Sequence, residues 1–178
     1  MTTRYRLDLT ADAIAAALAA ERNGDVWAGG TLVPGSYAPV VVRGADRQRH
    51  IVPRLWGVPP PPRGERIVAT VRNIESPFWI GTLRHTQFRC LVPATAFWQA
   101  GFGWTAPASG PLFALAGIWR DSEVPSFAIV TSARSDGRAL PVVLRRGEAA
   151  TWLTADWKVA QDLVGPPDAR EFAEHPAL

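Results

Sequence analysis

The sequence predicts an α+β fold built mainly on an antiparallel, curved or barrel-like β-sheet with a few flanking helices. Seven short apolar segments are separated by Pro and Gly, and they do not alternate regularly with helical segments. The length of 178 residues and the hydrophobic content of 47% suit one globular domain with a substantial core. We expect residues 1–165 to form this single domain and the proline-containing residues 166–178 to form a C-terminal tail.

The clearest helical segment is TADAIAAALAAE, residues 10–21. Thr10 is a suitable N-cap, Asp12 lies in the first turn, and the alanines that follow favour a helix. Asn23 and Gly24 are typical of a helix end. We therefore predict a helix over residues 10–21.

The remaining segments predict strands and two short helices. The strands are expected at YAPVVV, HIVPRLWGV, RIVATVRN, FRCLVPATAFW, PLFALAGIW, SFAIVTSAR and LPVVL. Helices are expected at residues 147–153 and 157–164. Four consecutive prolines, residues 59–62, predict a stiff extended connector, because neither a helix nor a central strand accommodates them.

Positive charge is concentrated in one part of the chain. Eighteen of the 19 basic residues are Arg, and nine of them lie between Arg43 and Arg89 beside only three acidic residues, a local net charge of +6. Arg binds phosphate oxygens in a bidentate manner. The rings of Trp56, Phe78 and Trp79 lie in the same region, where they suit either unpaired bases or the core. Single-stranded nucleic acid is therefore one candidate partner.

Other features of the sequence exclude several classes of protein. It has no apolar run of about 18 residues and no signal-peptide pattern, so we expect a cytoplasmic protein that makes no membrane contact. The single cysteine, Cys90, cannot form an internal disulfide, and its apolar surroundings predict a buried structural thiol. The three histidines share no metal-ligand spacing, and no phosphate-binding or dinucleotide motif is present. We expect no metal and no cofactor.

Several segments, taken in order, resemble one family. The segments are RYRL, PGSYAPVV, PRLWGVPPPP, VRNIESPFW, RCLVPATAFWQ, PLFALAGIW, FAIVTSA and ALPVVL. Their order and spacing are similar to those of the SRAP domain, the SOS response-associated peptidase or abasic-site processing family, from Met1 to about Trp157. The resemblance implies the SRAP fold and a protein of the DNA damage response that binds single-stranded DNA carrying an abasic site.

The resemblance also implies reactive residues, and this sequence departs from all three. In the family, a cysteine exposed by removal of Met1 closes a thiazolidine on the abasic-site aldehyde, assisted by a glutamate and a histidine. Thr2 stands in place of the cysteine, Gln99 in place of the glutamate, and Asp136 or Gly137 in place of the histidine. The amine of Thr2 retains the ability to form a Schiff base, but its hydroxyl is a weaker nucleophile than a thiolate. Gln99 cannot transfer a proton, whereas Asp136 offers a carboxylate if it faces the site.

The residues expected to hold DNA are better preserved. Arg4 and Arg72 match arginines of the family and are expected to bind backbone phosphates. Thr70 replaces an asparagine, which alters the expected positioning of the abasic sugar. Trp56 matches a family tryptophan whose role here is either core packing or lining of the nucleotide cleft.

The sequence therefore predicts SRAP-fold binding of DNA with covalent capture impaired or lost. Two alternatives remain open at this point. One is an active abasic-site crosslinker that uses the amine of Thr2, and the other is a scaffold that binds a protein partner. Whether the protein is an enzyme stays undecided between them, as does its oligomeric state.

Overall fold

The structure is a computed structural model that describes residues 4–24, 27 and 29–174. Its strands are β1 (Tyr5–Leu7), β2 (Glu21–Arg22), β3 (Gly30–Leu32), β4 (Tyr37–Arg43), β5 (Arg49–Trp56), β6 (Thr70–Val71), β7 (Arg89–Ala94), β8 (Ala96–Gln99), β9 (Gly103–Pro107), β10 (Phe113–Arg120), β11 (Ser126–Ala133), β12 (Ala139–Pro141), β13 (Val143–Leu144) and β14 (Phe172–Glu174). Its helices are α1 (Ala11–Leu18), α2 (Pro77–Leu83), α3 (Glu148–Thr154) and α4 (Trp157–Ala160). Short 3₁₀ turns cover Thr86–Phe88, Gln161–Leu163 and Ala169–Glu171.

The strands form two sheets, and the larger one closes on itself. Its main path runs β12-β11-β10-β7-β4-β5-β2, and β5 also pairs with β11 in parallel, which joins β11, β10, β7, β4 and β5 into a ring. The smaller sheet has the order β14-β9-β8-β1-β3, with antiparallel neighbours throughout. Closing a sheet into a ring removes exposed strand edges. The predicted α+β class with a curved, barrel-like and largely antiparallel sheet is confirmed.

The chain passes from the larger sheet to the smaller one at Thr95. The backbone N–H of Thr95 donates to the carbonyl of Arg6 (2.7 Å), and the N–H of Asp8 donates to the Thr95 hydroxyl (3.1 Å). The segment FRCLVPATAFW, which we expected to be one strand, is therefore two strands, β7 and β8, in different sheets. This crossing places the end of β8 beside the start of β1.

Helix α1 begins as predicted and ends earlier than predicted. The Thr10 hydroxyl accepts from the N–H of Ala13 (3.2 Å), which confirms its role as N-cap. The helix ends at Leu18 because Ala19 adopts a left-handed conformation (φ 48°). Glu21, expected to be the last helical residue, instead forms β2 together with Arg22 and pairs with β5.

A buried arginine holds α3 against the larger sheet. Arg89 is fully buried and donates to the carbonyl oxygens of Trp152 (2.6 Å) and Ala155 (2.5 Å) at the end of α3. The Trp152 indole N–H in turn donates to the carbonyl of Cys90 (3.1 Å). Arg89 belongs to the arginine-rich part of the sequence, yet its donors serve the fold and not a phosphate.

The C-terminal segment is part of the smaller sheet and not wholly a tail. Residues 169–174 form a 3₁₀ turn and β14, which pairs with β9. The ring of Phe172 packs at 5.6 Å from that of Phe97 and at 5.8 Å from that of Phe113. Apolar packing by Phe172 explains the difference, because it offsets the entropic cost of ordering this segment. Residues 175–178 lie outside the described residues.

Two reactive side chains are buried in the core. Cys90 is fully buried, as predicted, and burial raises the pKa of its thiol far above the ordinary range. Tyr5 is also fully buried, packs edge-on against Trp56 at 5.0 Å, and its hydroxyl has no hydrogen-bond partner among the described residues. Among those residues, no helix has both the length and the apolar character needed to cross a bilayer.

Replacing Tyr5 with Phe is expected to reduce the loss of stability at alkaline pH. Burial, with a smaller contribution from Cys90, raises the pKa of Tyr5 well above its ordinary value of 10. The unfolded chain loses this proton near pH 10, whereas the folded chain retains it, so the tyrosine makes the free energy of unfolding fall as pH rises above about 10. Urea unfolding at pH 7, 9 and 10.5 measures the effect. The advantage of Tyr5→Phe over the wild type should grow with pH; a constant difference, or the same pH trend in the exposed-site control Tyr37→Phe, contradicts this account.

Candidate nucleic-acid interface

Two arginines and two tryptophans form a cluster at the start of β1. Trp98 on β8 and Trp104 on β9 are directly paired across the two strands, and their rings lie edge to face at 5.6 Å. The Arg4 guanidinium lies 4.3 Å from the ring centre of Trp98 and 5.4 Å from that of Trp104, and Arg6 lies 5.9 Å from Trp104. We call these four residues the arginine–tryptophan cluster. Cation–π contact fixes a guanidinium while leaving its N–H donors at the ring edge available.

Arg4 is well placed to contact an anion. Its backbone carbonyl accepts from the N–H of Trp98 (3.1 Å), so the backbone of Arg4 is fixed beside the end of β8. Within the described residues, no carboxylate forms an ion pair with Arg4, whereas Arg6 pairs with Asp8 (2.8 Å). Arg4 is therefore the member of the cluster that offers its charge to a ligand.

Gln99 adjoins the cluster as the last residue of β8. Its side-chain amide donates to the hydroxyl of Thr105 (2.7 Å), across the β8–β9 hairpin. Gly101 lies in the hairpin turn and Gly103 begins β9, and both have φ above +80°, a conformation that favours glycine. An amide in this position gives hydrogen bonds but cannot act as a general acid or base.

Asp136 lies in the turn that joins β11 to β12. One carboxylate oxygen accepts from the backbone N–H of Arg138 (3.0 Å), and the other lies 3.8 Å from the guanidinium groups of Arg134 and Arg138. The side chain is exposed and its oxygens are occupied by the turn. Asp136 thus shapes the turn, and no described contact directs it at Gln99.

The two hairpin turns nevertheless touch. The Arg138 guanidinium lies 4.4 Å from the ring centre of Phe102, which is 66% exposed at the tip of the β8–β9 hairpin. The Phe102 N–H donates to the carbonyl of Gln99 (3.1 Å). Through this contact the structure brings the turns of Gln99 and Asp136 to the same part of the molecule.

Thr70 and Arg72 approach this region from β6. Thr70 pairs with Ile129 on β11, and the two strands are parallel, so both run towards the β11–β12 turn. Arg72 follows β6 directly and is exposed, and within the described residues no carboxylate is paired with it. Thr70 is partly buried. Arg72 is thus a second free guanidinium near the same end of the ring of strands.

Trp56 occupies the core and supports β6 from within. It is fully buried, stacks at 6.4 Å on Phe127, and donates its indole N–H to the carbonyl of Ala69 (2.9 Å), the residue before Thr70. In this conformation no ring face is available to a base. Of the two roles left open for Trp56, the geometry matches core packing, and a direct contact with DNA is not supported.

Sequence reasoning missed part of this site. Trp98, Trp104, Phe102 and Arg138 were not singled out, although the alternation in FWQAGFGW, with glycines between aromatic residues, is a signal of an aromatic hairpin. Thr2, the predicted reactive residue, lies outside the described residues.

One group of side chains has the composition of a metal site. Glu21, Asp46 and His50 place their ligand atoms within 4.8 Å of one another, and the His50 Nε2 lies 2.7 Å from Asp46. Both carboxylates are exposed, and the contacts of Asp46 with His50 and with the N–H of Gln48 (2.9 Å) account for the arrangement without an ion. This trio is not part of the interface described above.

The fold is shared with three solved structures. A protein from Bordetella bronchiseptica has a TM-score of 0.75 and 20% identity, covering 96% of this chain and 97% of its own. A protein from Bacteroides thetaiotaomicron has a TM-score of 0.76 and 15% identity, covering 96% and 90%. A phage-related protein from B. bronchiseptica has a TM-score of 0.75 and 17% identity, covering 98% and 93%. At such identities these likenesses show the fold alone.

A family model that spans nearly the whole sequence identifies the family. The family model for SRAP, SOS response associated peptidase, matches residues 1–177. The chain therefore belongs to the SRAP family, which confirms the resemblance found in its segments. A comparison with curated proteins gave no significant match.

Proposed function

We propose that this protein binds single-stranded DNA, including strands with an abasic site, and that covalent capture through its N-terminal residue is impaired or lost. The proposal depends on two features that occur together in the site. The guanidinium of Arg4 lies on two tryptophan rings and has no carboxylate partner within the described chain, and Gln99 places an amide where acid–base chemistry needs a carboxylate. The guanidinium and its rings are suited to bind a backbone phosphate and nearby bases. The amide cannot transfer a proton in the capture reaction.

Charge supports the binding part of the proposal. Arg4 and Arg72 form no ion pair with a carboxylate of the described chain, whereas Arg6 pairs with Asp8, Arg145 pairs with Glu171, and Arg89 is buried in the fold. Guanidinium groups bind phosphate oxygens through charge-assisted hydrogen bonds. Aromatic rings beside them suit unpaired bases, because every base has a face that stacks.

The altered reactive residues support the second part. An N-terminal threonine amine condenses with an aldehyde to an imine and releases water, but ring closure by its hydroxyl is much weaker than closure by a thiolate. Gln99 donates to Thr105 and cannot supply the proton that assists this step. Asp136 is engaged by its own turn. Any adduct is therefore expected to be reversible.

Replacing Arg72 with Ala is expected to weaken binding to single-stranded DNA about fivefold, because an exposed charge contact is worth about 1 kcal/mol. The loss should be similar for different base sequences, since a phosphate contact carries no sequence information. The slope of log K against log salt concentration should decrease in magnitude by about one, the amount expected for the loss of one phosphate contact. Fluorescence anisotropy with oligo-dT and a mixed-sequence strand, between 50 and 200 mM salt, measures both.

The matched control is Arg170→Ala, since the Arg170 side chain is 92% exposed and its guanidinium already lies 3.7 Å from the carboxylate of Asp168. It should bind as the wild type does. If Arg72→Ala and Arg170→Ala have the same affinity and salt slope, Arg72 does not bind phosphate. If the wild-type protein does not bind single-stranded DNA at 50 mM salt, the proposed function itself is wrong.

A further inference from the structure

A second series of rings and an arginine lies outside the arginine–tryptophan cluster. The rings of His85 and Phe88 are 6.3 Å apart, those of Phe88 and Trp119 are 5.6 Å apart, and the Arg54 guanidinium lies 4.6 Å from the ring centre of Trp119. We call these four residues the ring ladder. His85 is exposed and the other three are partly exposed, so the ladder is accessible from solvent.

The ring ladder is distant from the β11–β12 turn. Trp119 on β10 pairs with Phe127 near the start of β11, whereas Asp136 follows the end of β11 at Ala133. Ala133 is six residues after Phe127, and a strand rises about 3.3 Å per residue, so these two positions on β11 are about 20 Å apart. The ladder is therefore a separate surface and not an extension of the Asp136 turn.

The fold leaves most of the hydrogen-bond donors of Arg54 without a partner among the described residues. Its Nε is buried without a hydrogen-bond partner among the described residues, and its Nη1 donates only to the carbonyl of Pro53 (2.9 Å). No carboxylate of the described chain forms an ion pair with it. Burial lowers the pKa of Arg54 from its ordinary value, which reflects the cost of holding this charge partly out of water. An anion bound at this guanidinium offsets that cost.

The rings are held in place by the fold and are not only filling the core. The Trp119 indole N–H donates to the carbonyl of Gln87 (2.9 Å), which fixes its ring against the 3₁₀ turn of residues 86–88. Phe88 projects from that turn and His85 immediately precedes it. Partly exposed rings in fixed positions offer stacking surface at little cost in side-chain entropy.

We infer that the ring ladder is a second binding site for single-stranded DNA, with unpaired bases against the rings of His85 and Phe88 and a phosphate at Arg54. This inference rests on the proposed function for the class of ligand, and it goes beyond it by assigning a site separate from the arginine–tryptophan cluster. A strand that occupies both sites is held at two points. Longer oligonucleotides should therefore bind more tightly than those that fill one site.

Photocrosslinking of the wild-type protein tests the inference without any change to the fold. Single-stranded oligo-dT of 20 nucleotides, substituted throughout with 5-iodouracil, is bound, irradiated and mapped by mass spectrometry. Crosslinks at His85, Phe88 or Trp119 are expected in addition to those at Trp98, Phe102 or Trp104. Crosslinks confined to the second set, with binding intact, overturn the ring ladder and leave the proposed function standing. Absence of oligo-dT binding overturns both.

Substitutions give the second measurement. The double variant His85→Ala/Phe88→Leu is expected to weaken binding of the 20-nucleotide strand about fivefold or more. The affinity for a four-nucleotide strand bound at the arginine–tryptophan cluster should not change. Arg54→Met, which keeps an apolar stem over Trp119, should lower the salt slope by about one charge. Arg170→Met is the matched control and should bind as the wild type. If Arg54→Met does not fold, the double variant His85→Ala/Phe88→Leu is the deciding test. Unchanged affinity of that variant for the 20-nucleotide strand overturns the inference.

Discussion

Replacing Trp56 with Ala is expected to lower the free energy of unfolding by about 3–5 kcal/mol, a large part of the total stability of a domain of this size. The side chain is fully buried between Tyr5 and Phe127, and its removal leaves a cavity that these rings cannot close. It also leaves the carbonyl of Ala69 without its indole donor. Urea unfolding followed by circular dichroism measures the loss.

The milder change Trp56→Phe separates packing from DNA contact. It keeps much of the apolar volume, so it should cost less than the alanine variant, and the folded protein should bind single-stranded DNA with wild-type affinity. A stable Trp56→Ala protein contradicts the core role. A well-folded Trp56→Phe protein that has lost DNA affinity supports the cleft role instead.

Restoring two of the altered reactive residues is expected to produce covalent capture. The variant Thr2→Cys with Gln99→Glu should form an adduct with abasic single-stranded DNA that survives without reduction, where the wild type forms none. A cysteine thiolate closes the imine to a ring far better than a hydroxyl does, and a glutamate beside Thr105 regains proton transfer. Denaturing gel electrophoresis with a labelled strand measures the fraction captured.

The matched control is Thr2→Ser with Gln99→Glu, which restores the carboxylate but keeps a hydroxyl at residue 2. It should give no stable adduct, which assigns the gain to the thiol. Equal and negligible capture by both double variants contradicts the view that the two substitutions account for lost chemistry, and places the cause elsewhere in the site.

Much of the fold was predictable because its strands carry their own apolar signal. Most residues of the strands β4, β10 and β11 are buried, so these segments read as apolar runs, whereas in β5 only Ile51 and Trp56 are buried. Helix α1 was predictable in its start, since the Thr10 cap is a local interaction, but not in its end. The helix ends at the left-handed Ala19, and Glu21 pairs with β5 instead, a contact far apart in sequence.

Other elements depended on long-range contacts that no local pattern shows. The division of β7 from β8 follows from hydrogen bonds between Thr95 and the β1 segment. Strand β14 forms because Phe172 packs on Phe97 and Phe113. Helix α2 was missed although Ser76 and Pro77 form a typical helix start.

The candidate site was predictable in part, through the family resemblance. It singled out Arg4 and Gln99, which the structure places directly before β1 and at the end of the neighbouring strand β8. The aromatic partners of Arg4 were missed because Trp98 and Trp104 meet only through the register of the β8–β9 hairpin. The contact between Phe102 and Arg138 joins two hairpins, and sequence spacing gives no indication of it.

The most direct test of impaired capture is the intact mass of the wild-type protein after mixing with single-stranded DNA that carries one abasic site, with and without borohydride. The protein concentration is set where anisotropy shows that the DNA is bound. We expect the unmodified mass without borohydride. With borohydride we expect either no adduct or only an adduct trapped as a reduced imine. A stable adduct mapped to Thr2 in most molecules without reduction contradicts the account and shows that the N-terminal amino alcohol retains covalent capture.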